Sequence, residues 1–253
     1  MTSLALCSAS GAPGVTTTAL ALTWIWPRVA NGRGVVLVDA DPSGSGLLGG
    51  ALRAQVPPDA GLLALAADSG PLTVDRFLAH TLALDAGGNR SVLPGISDPV
   101  QARALSTVWS AFDDLAVDLH LAGVDTVVDA GRLGHRSEPS ELLADADVVA
   151  IALDPTVAAS VAVAAALRPL TAMRAPRRAP VPFVVGEGRP YTAREIESAL
   201  GVDVATVALD SRAATALGAG EPGEGRLDRS VLLRSVRALA ETLLAALPAE
   251  AIA

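Results

Sequence analysis

The amino-acid sequence predicts an α/β fold built on one doubly wound, mostly parallel sheet. Short apolar runs recur along the chain, among them Leu4–Cys7, Gly34–Val38, Val124–Asp129, Ala146–Leu153 and Val181–Val185. Each is short enough for a buried strand. Between them lie stretches with helical periodicity, such as Leu105, Val108, Phe112, Leu115 and Leu119. Strands alternating with helices at this rhythm produce a parallel sheet wrapped on both faces. No linker, repeat or low-complexity segment divides the chain, so residues 1–253 are expected to form a single domain.

Taken in order, Leu4–Cys7 opens the sheet and a small-residue loop follows from Ser8 to Val15, turning at Gly11 and Gly14. A helix is expected from Thr16 to Trp26, with Trp24 and Trp26 closing it as core residues. The second strand, Gly34–Val38, runs into Asp39-Ala40-Asp41-Pro42, and a short helix is expected near Gly46–Leu52. Helices are expected over 60–67 and 72–84, a strand end at Ser91–Gly95, and one long helix over Val100–Ala122. Val124–Asp129 is a strand with an aspartate at its end. Strand Ala146–Leu153 precedes helix Pro155–Leu170, and Val181–Val185 precedes helix Tyr191–Leu200. Strand Val204–Leu209, a short helix Asp210–Leu217 and a last helix Arg229–Leu247 complete the chain.

Composition narrows the function classes. The 253 residues are 51% hydrophobic, enough for a sizeable core, and the formal net charge of −8 argues against a general nucleic-acid coat. A lone cysteine, Cys7, rules out a disulfide framework and suits a reducing, cytoplasmic setting. No apolar run reaches the length of a membrane span. All 19 basic residues are arginine. The histidines, His80, His120 and His135, lack metal-ligand spacing.

Chemistry concentrates at three strand ends. Strand, glycine loop and helix in succession make a phosphate cradle, because glycine lets the backbone approach and the helix start aims free N–H groups at an anion. The standard P-loop is G-x-x-x-x-G-K-[ST], whose lysine reaches the β/γ-phosphates and whose hydroxyl binds Mg²⁺. Here the loop carries Gly11, Ala12, Pro13, Gly14, Val15, Thr16 and Thr17, so the threonines are present and valine stands where lysine is expected. Asp39 and Asp41 follow one strand and Asp129 ends another, at the carboxyl edge where such sheets bind ligands. An aspartate in the position of Asp129 holds Mg²⁺ through water in P-loop proteins.

Together these motifs resemble the ParA/MinD superfamily of P-loop ATPases over nearly the whole chain. The family loop K-G-G-x-G-K-[ST]-[ST] is answered by Ser10-Gly11-Ala12-Pro13-Gly14-Val15-Thr16-Thr17, and its D-x-D-P element by Asp39-Ala40-Asp41-Pro42. Asp129 matches the family's strand-end aspartate. Glu195–Gly201, Leu209–Ala213 and Ala216–Pro222 resemble its final strand and following helix. Within the superfamily the pilus-assembly and septum-associated CpaE-like members are the most similar. Both family lysines are absent: the signature lysine, which reaches a partner's nucleotide across a dimer, is Ser10, and the loop lysine is Val15. Where the family has an Asn-Arg pair against adenine, this chain has Gly186-Glu187.

The resemblance implies a P-loop fold in which Gly11 through Thr17 cradle phosphate, Thr16, Asp39 and Asp129 serve Mg²⁺, and Asp41 is the catalytic aspartate of any residual hydrolysis. ATP and Mg²⁺ are expected to bind weakly, and loss of both cations should harm turnover more than binding. The expected role is localisation or scaffolding for a pilus, secretion or division machinery, with a protein partner and a homodimer that needs no nucleotide. The rival reading is an active ATPase in which an arginine, Arg132 by position, replaces the lysine. The arginines from Arg168 to Arg194 are read as a solvated face rather than a nucleic-acid surface, as the acidic pI of about 4.8 favours. The stripe Leu232, Val236, Leu239, Leu243 and Leu247 is expected to dock on the sheet, leaving any membrane association indirect.

Overall fold

The computed structural model describes residues 3–11, 14–44, 46–186, 188–220 and 227–247. Strand β1 (Ser3–Ser8) is buried throughout and leads into α1 (Val15–Val29), after which β2 runs over Gly34–Asp39. Two short helices, α2 (Leu62–Ala67) and α3 (Val74–Ala79), precede β3 (Leu82–Ala83) and β4 (Arg90–Leu93). A 3₁₀ segment over Pro99–Leu105, α4 (Ser106–Trp109) and α5 (Phe112–Leu121) then lead to β5 (Val124–Arg132). The second half alternates α6 (Ser140–Asp145), β6 (Val148–Leu153), α7 (Val157–Met173), β7 (Val181–Val185), α8 (Ala193–Leu200), β8 (Ala205–Val207), α9 (Ser211–Gly218) and α10 (Val231–Ala245).

The eight strands form one sheet in the order β3-β4-β2-β5-β1-β6-β7-β8. Every pairing is parallel except β3 against β4 at the edge, so the expected α/β, doubly wound, mostly parallel sheet is what the chain forms. β1 lies between β5 and β6, and the chain fills one side of it before crossing to the other. Ligands bind at the carboxyl edge of such a reversal point.

Two cores cover the sheet. One face packs under α2 to α8, with Phe77, Phe112, Leu115, Leu119 and Ile196 among its members. The other packs under α1, α9 and α10, where Leu232, Val236, Leu239, Leu243 and Leu247 are all buried, so the C-terminal apolar stripe does dock inward. Beneath the sheet's opposite edge the buried Asp125 carboxylate accepts from Trp26 Nε1 at 3.0 Å and Arg33 Nε at 2.9 Å, tying α1 and β2 to β5. Trp24 is half-buried with the Arg90 guanidinium 5.0 Å above its ring.

Several element boundaries differ from the sequence reading. Residues 46–52 form turns rather than a helix: the stretch is glycine-rich, and Arg53 and Ala54 beyond it take left-handed φ values of 52° and 54°. The helix expected over 72–84 stops at Ala79, and β3 follows as the antiparallel edge. The apolar stripe from Leu105 to Leu119 is buried as expected, but the helix over Val100–Ala122 is broken at Ser110 and Ala111. Val108 and Trp109 before the break and Phe112 after it are all buried. α6 was not expected; its end is held by the buried Arg174, which donates to the carbonyls of Leu143 and Ala146.

Candidate functional site: a cleft at the carboxyl edge of the central strands

Adjacent strand ends put the candidate residues side by side. Asp39 and Asp129 are register partners on β2 and β5, and Leu6 of β1 pairs with Asp129 on its other side. Ser8, the last residue of β1, pairs with Arg132 of β5 and Ala152 of β6, and there the chain leaves the sheet for the glycine loop. The loop therefore opens directly beside Asp129.

On the loop side, Gly11 and Gly14 both have left-handed φ values, 58° and 79°, which glycine adopts without strain. Gly14 is the N-cap of α1, and no side chain among the described residues caps that end. No acidic residue stands in the first turn, so the N–H groups of the helix start are free to meet an anion. Val15, at the lysine position, is only 7% exposed and packs with Leu4, Leu6 and Ala19 in the core beneath α1. Thr16 and Thr17 are half-buried. Ala12 and Pro13 lie outside the described residues, as do Glu187, Glu221 and Pro222.

On the carboxylate side, Asp39 is buried and accepts from the Gly95 N–H at 3.2 Å. A Cβ on Gly95 would lie 2.6 Å from the Asp39 carboxylate carbon, so glycine there is what lets the side chain fit. Asp41 folds back over β5: a Cβ on Gly131 would come 2.3 Å from its carboxylate carbon. The Ser43 N–H donates to Asp41 Oδ1 at 2.8 Å and fixes that turn. Asp129 is fully buried, and its Oδ1 accepts from the Gly131 N–H at 3.1 Å. Burial pushes the Asp129 carboxyl up to about 6, opposed by the Thr16 hydroxyl and the Gly131 N–H and reinforced by the negative charge of Asp41.

These features test the two groups that the fold implies. Asp129 Oδ2 is buried and accepts no hydrogen bond that would satisfy it among the described residues, so Asp129 and Thr16 could help to hold a hydrated Mg²⁺ ion. Among the described residues no cluster of three or more His, Cys, Asp or Glu side chains could hold a metal by itself. A Mg²⁺ ion there would lean on Thr16, water and phosphate oxygens. The N–H groups at the start of α1 likewise suit a phosphate group. The side chain that follows Gly14 is a valine, buried in the core.

One residue of the cleft went unnoticed in the sequence. Asp154, directly after β6, is exposed, and its Oδ2 lies 3.9 Å from where a Cβ on Gly11 would stand. The signal was available, since Asp154 follows a strand just as Asp39 and Asp129 end theirs. Arg132 is exposed at the end of β5, beside the mouth of the loop, and its side chain has no partner among the described residues. Cys7, next to the loop, is fully buried and its thiol is pushed well above its usual range by that burial, so it is not a nucleophile.

Sheet order, loop and strand-end carboxylates define the class of fold as that of P-loop nucleotide-binding proteins. More particularly, the chain has the fold of the ParA and MinD ATPases. It superposes on a ParA family ATPase from Chlorobium tepidum with a TM-score of 0.76 and 15% identity, covering 96% of this chain and 99% of that one. The MinD protein of Aquifex aeolicus, solved in complex with MinC, gives 0.70 at 14% identity over 95% and 96% of the two chains. The septum site-determining protein MinD of Pyrococcus horikoshii, solved with Mg-ADP, gives 0.68 at 16% identity over 95% of each. No family model matches the sequence, and no curated protein sequence does. Among the described residues no helix is long and apolar enough to cross a membrane.

Proposed function

We propose that this chain is a ParA/MinD-fold protein with a degenerate nucleotide site, acting as a localisation or scaffold factor with weak or no ATP hydrolysis. The observation that carries the reading is Val15, buried in the core at the position from which a P-loop lysine would reach the phosphates. A charge-assisted contact of that kind contributes about 1.5–3 kcal/mol. Phosphoryl transfer relies on such charge for its rate, so binding survives the loss better than turnover. The free N–H groups at α1 and the Thr16–Asp129 pair support residual binding of a nucleotide with Mg²⁺, and Asp154 beside Gly11 weakens it by like-charge repulsion.

The CpaE-like character of the motif set supports a protein partner from a pilus, secretion or division machinery, and the A. aeolicus MinD complex with MinC is a precedent for partner binding on this fold. Titration of the purified protein with labelled ATP and Mg²⁺, run beside a phosphate-release assay, tests the proposal. Weak or absent binding and release at background are expected. Release on the order of 1 s⁻¹ that Asp41→Ala abolishes would refute it.

One observation favours the alternative of an active ATPase. Arg132 stands exposed beside Ser8, where its guanidinium could turn toward a phosphate in place of the missing lysine. Phosphate release that Arg132→Ala and Asp41→Ala both abolish would select it.

A further inference from the structure

We propose that two copies of this chain pair antiparallel through the β3 edge, joining their sheets about a twofold axis at Ala83. β3 is the outermost strand on its side, and Leu82 pairs with Val92 and Ala83 with Ser91 of β4. The Leu84 N–H continues that ladder to the Arg90 carbonyl at 2.9 Å. In an antiparallel ladder, residues bonded to the neighbouring strand alternate with residues whose N–H and C=O point the other way. Leu84 bonds inward, so the N–H and C=O of Ala83 point out of the sheet, and no group among the described residues meets them. Ala83 is also exposed. An unmet donor and acceptor on one edge residue suit another extended backbone, which offers both groups at the same spacing.

The two edges of the sheet are finished differently. Just past β8, at the far edge, the Ala208 N–H donates to Ser235 Oγ of α10 at 2.9 Å. Around β3 the run Thr81-Leu82-Ala83-Leu84 holds neither a charge nor a proline, the residues that ordinarily blunt an edge. The first charge beyond it, Asp85, is paired with Arg90.

Apolar surface converges on the same place. Leu82 and Leu84 pack on the face covered by α1 and α9, where with Trp24, Leu52 and Leu217 they line a hollow of about 390 Å³. Trp24, Leu52, Leu82 and Leu84 are only half-buried, so the core of that face is left open beside the unpaired edge.

A second β3 answers both needs. With Ala83 on the axis, each copy gives one N–H to its counterpart and accepts one in return. Leu82 of either copy then stands opposite Leu84 of the other, on the face that holds the hollow. The contact is made twice and uses both edges, as a closed dimer requires. β3 is two residues long, so the leucines supply what two backbone bonds do not. The cleft lies at β2, β5 and β1, beyond β4, and the contact therefore needs no nucleotide.

Sedimentation of the full-length protein over a range of concentrations, without nucleotide, is the test, and a dimer is expected. Ala83→Pro removes the outward N–H and spares the bonds to β4, since proline is tolerated on the open side of an edge strand. It should weaken the dimer about tenfold or more, the effect of losing two backbone bonds. Should that variant fail to fold, exposed charges decide. Ala83→Lys and Ala83→Glu each set like charges across the axis and should be monomeric where the wild type is dimeric, and an equal mixture of the two should recover the dimer. Hydrogen exchange at the Ala83 amide should be slower in the wild-type dimer than in wild-type protein diluted to the monomer. A wild-type protein that stays monomeric, a dimer that these substitutions leave unchanged, or a mixture that stays monomeric would overturn the proposal. Growth past the dimer into open-ended species would do the same, because a closed pair leaves no β3 edge free.

Discussion

The two walls of the cleft are built differently. The carboxylate wall sets Asp39 and Asp129 in register and folds Asp41 beside β5, with Gly95 and Gly131 supplying the space that the Asp39 and Asp41 side chains occupy. The loop wall has left-handed Gly11 and Gly14 and an uncapped helix start, with a buried valine where the P-loop pattern has lysine. A valine at the mouth of this loop is compatible with the fold, because Val15 satisfies the core as well as any apolar residue. Losing the carboxylate wall would be another matter. Those groups are woven into backbone contacts, so removing their space disturbs the sheet.

The sharpest way to break this comparison is to fill that space. Gly95→Ala would bring a methyl group within 2.6 Å of both the Asp39 carbonyl oxygen and its carboxylate. A loss of about 3 kcal/mol or more is expected in urea unfolding. A wild-type midpoint would show that the wall is pliable.

Asp129 offers the next largest effect. Its carboxyl titrates near 6 in the folded protein, above its value in the unfolded chain. Stability from the neutral form is therefore complete below about pH 4 and declines as pH rises through 6, by at most about 3 kcal/mol. Asp129→Asn should flatten that segment of the stability profile, measured by thermal unfolding between pH 4 and 7. Mg²⁺, if it binds the ionised form, should restore stability above pH 6 in the native protein and not in the variant.

Adding a cation to the loop wall is a smaller intervention. Val15→Lys should tighten binding of a labelled ATP analogue by roughly tenfold or more, in line with a charge-assisted contact, read by fluorescence titration. Unchanged affinity would mean that the cradle is closed to phosphate for a further reason, and Asp154→Asn in the same background would then expose the part played by that carboxylate.

Arg132→Ala is expected to do least: its side chain is exposed and without a partner among the described residues, so stability should move by less than about 0.5 kcal/mol. Nucleotide affinity should stay put as well. A clear drop in affinity in the same titration would hand the loop wall a substitute cation and favour the active-ATPase reading.

The sequence by itself determined the layered α/β architecture, because apolar runs too short for helices alternate with amphipathic stretches, and that periodicity is a local property. It also determined which strand ends carry carboxylates and which loop carries glycines, since strand, turn and helix follow each other within a few residues. The α10 stripe was legible for the same reason. Only the tertiary structure decided what needed distant partners. Across the break at Ser110–Ala111, Trp109 packs edge-on against Phe112, which packs edge-on against the distant Phe77. β3 exists only because β4 is there to pair with it. Asp154 becomes part of the cleft because β6 lies beside β1, a neighbour far away in sequence. The place of Val15 was settled in the same way: its identity departs from the P-loop pattern, but its burial, in one core cluster with Leu4 and Leu6, needs α1 to pack on the sheet.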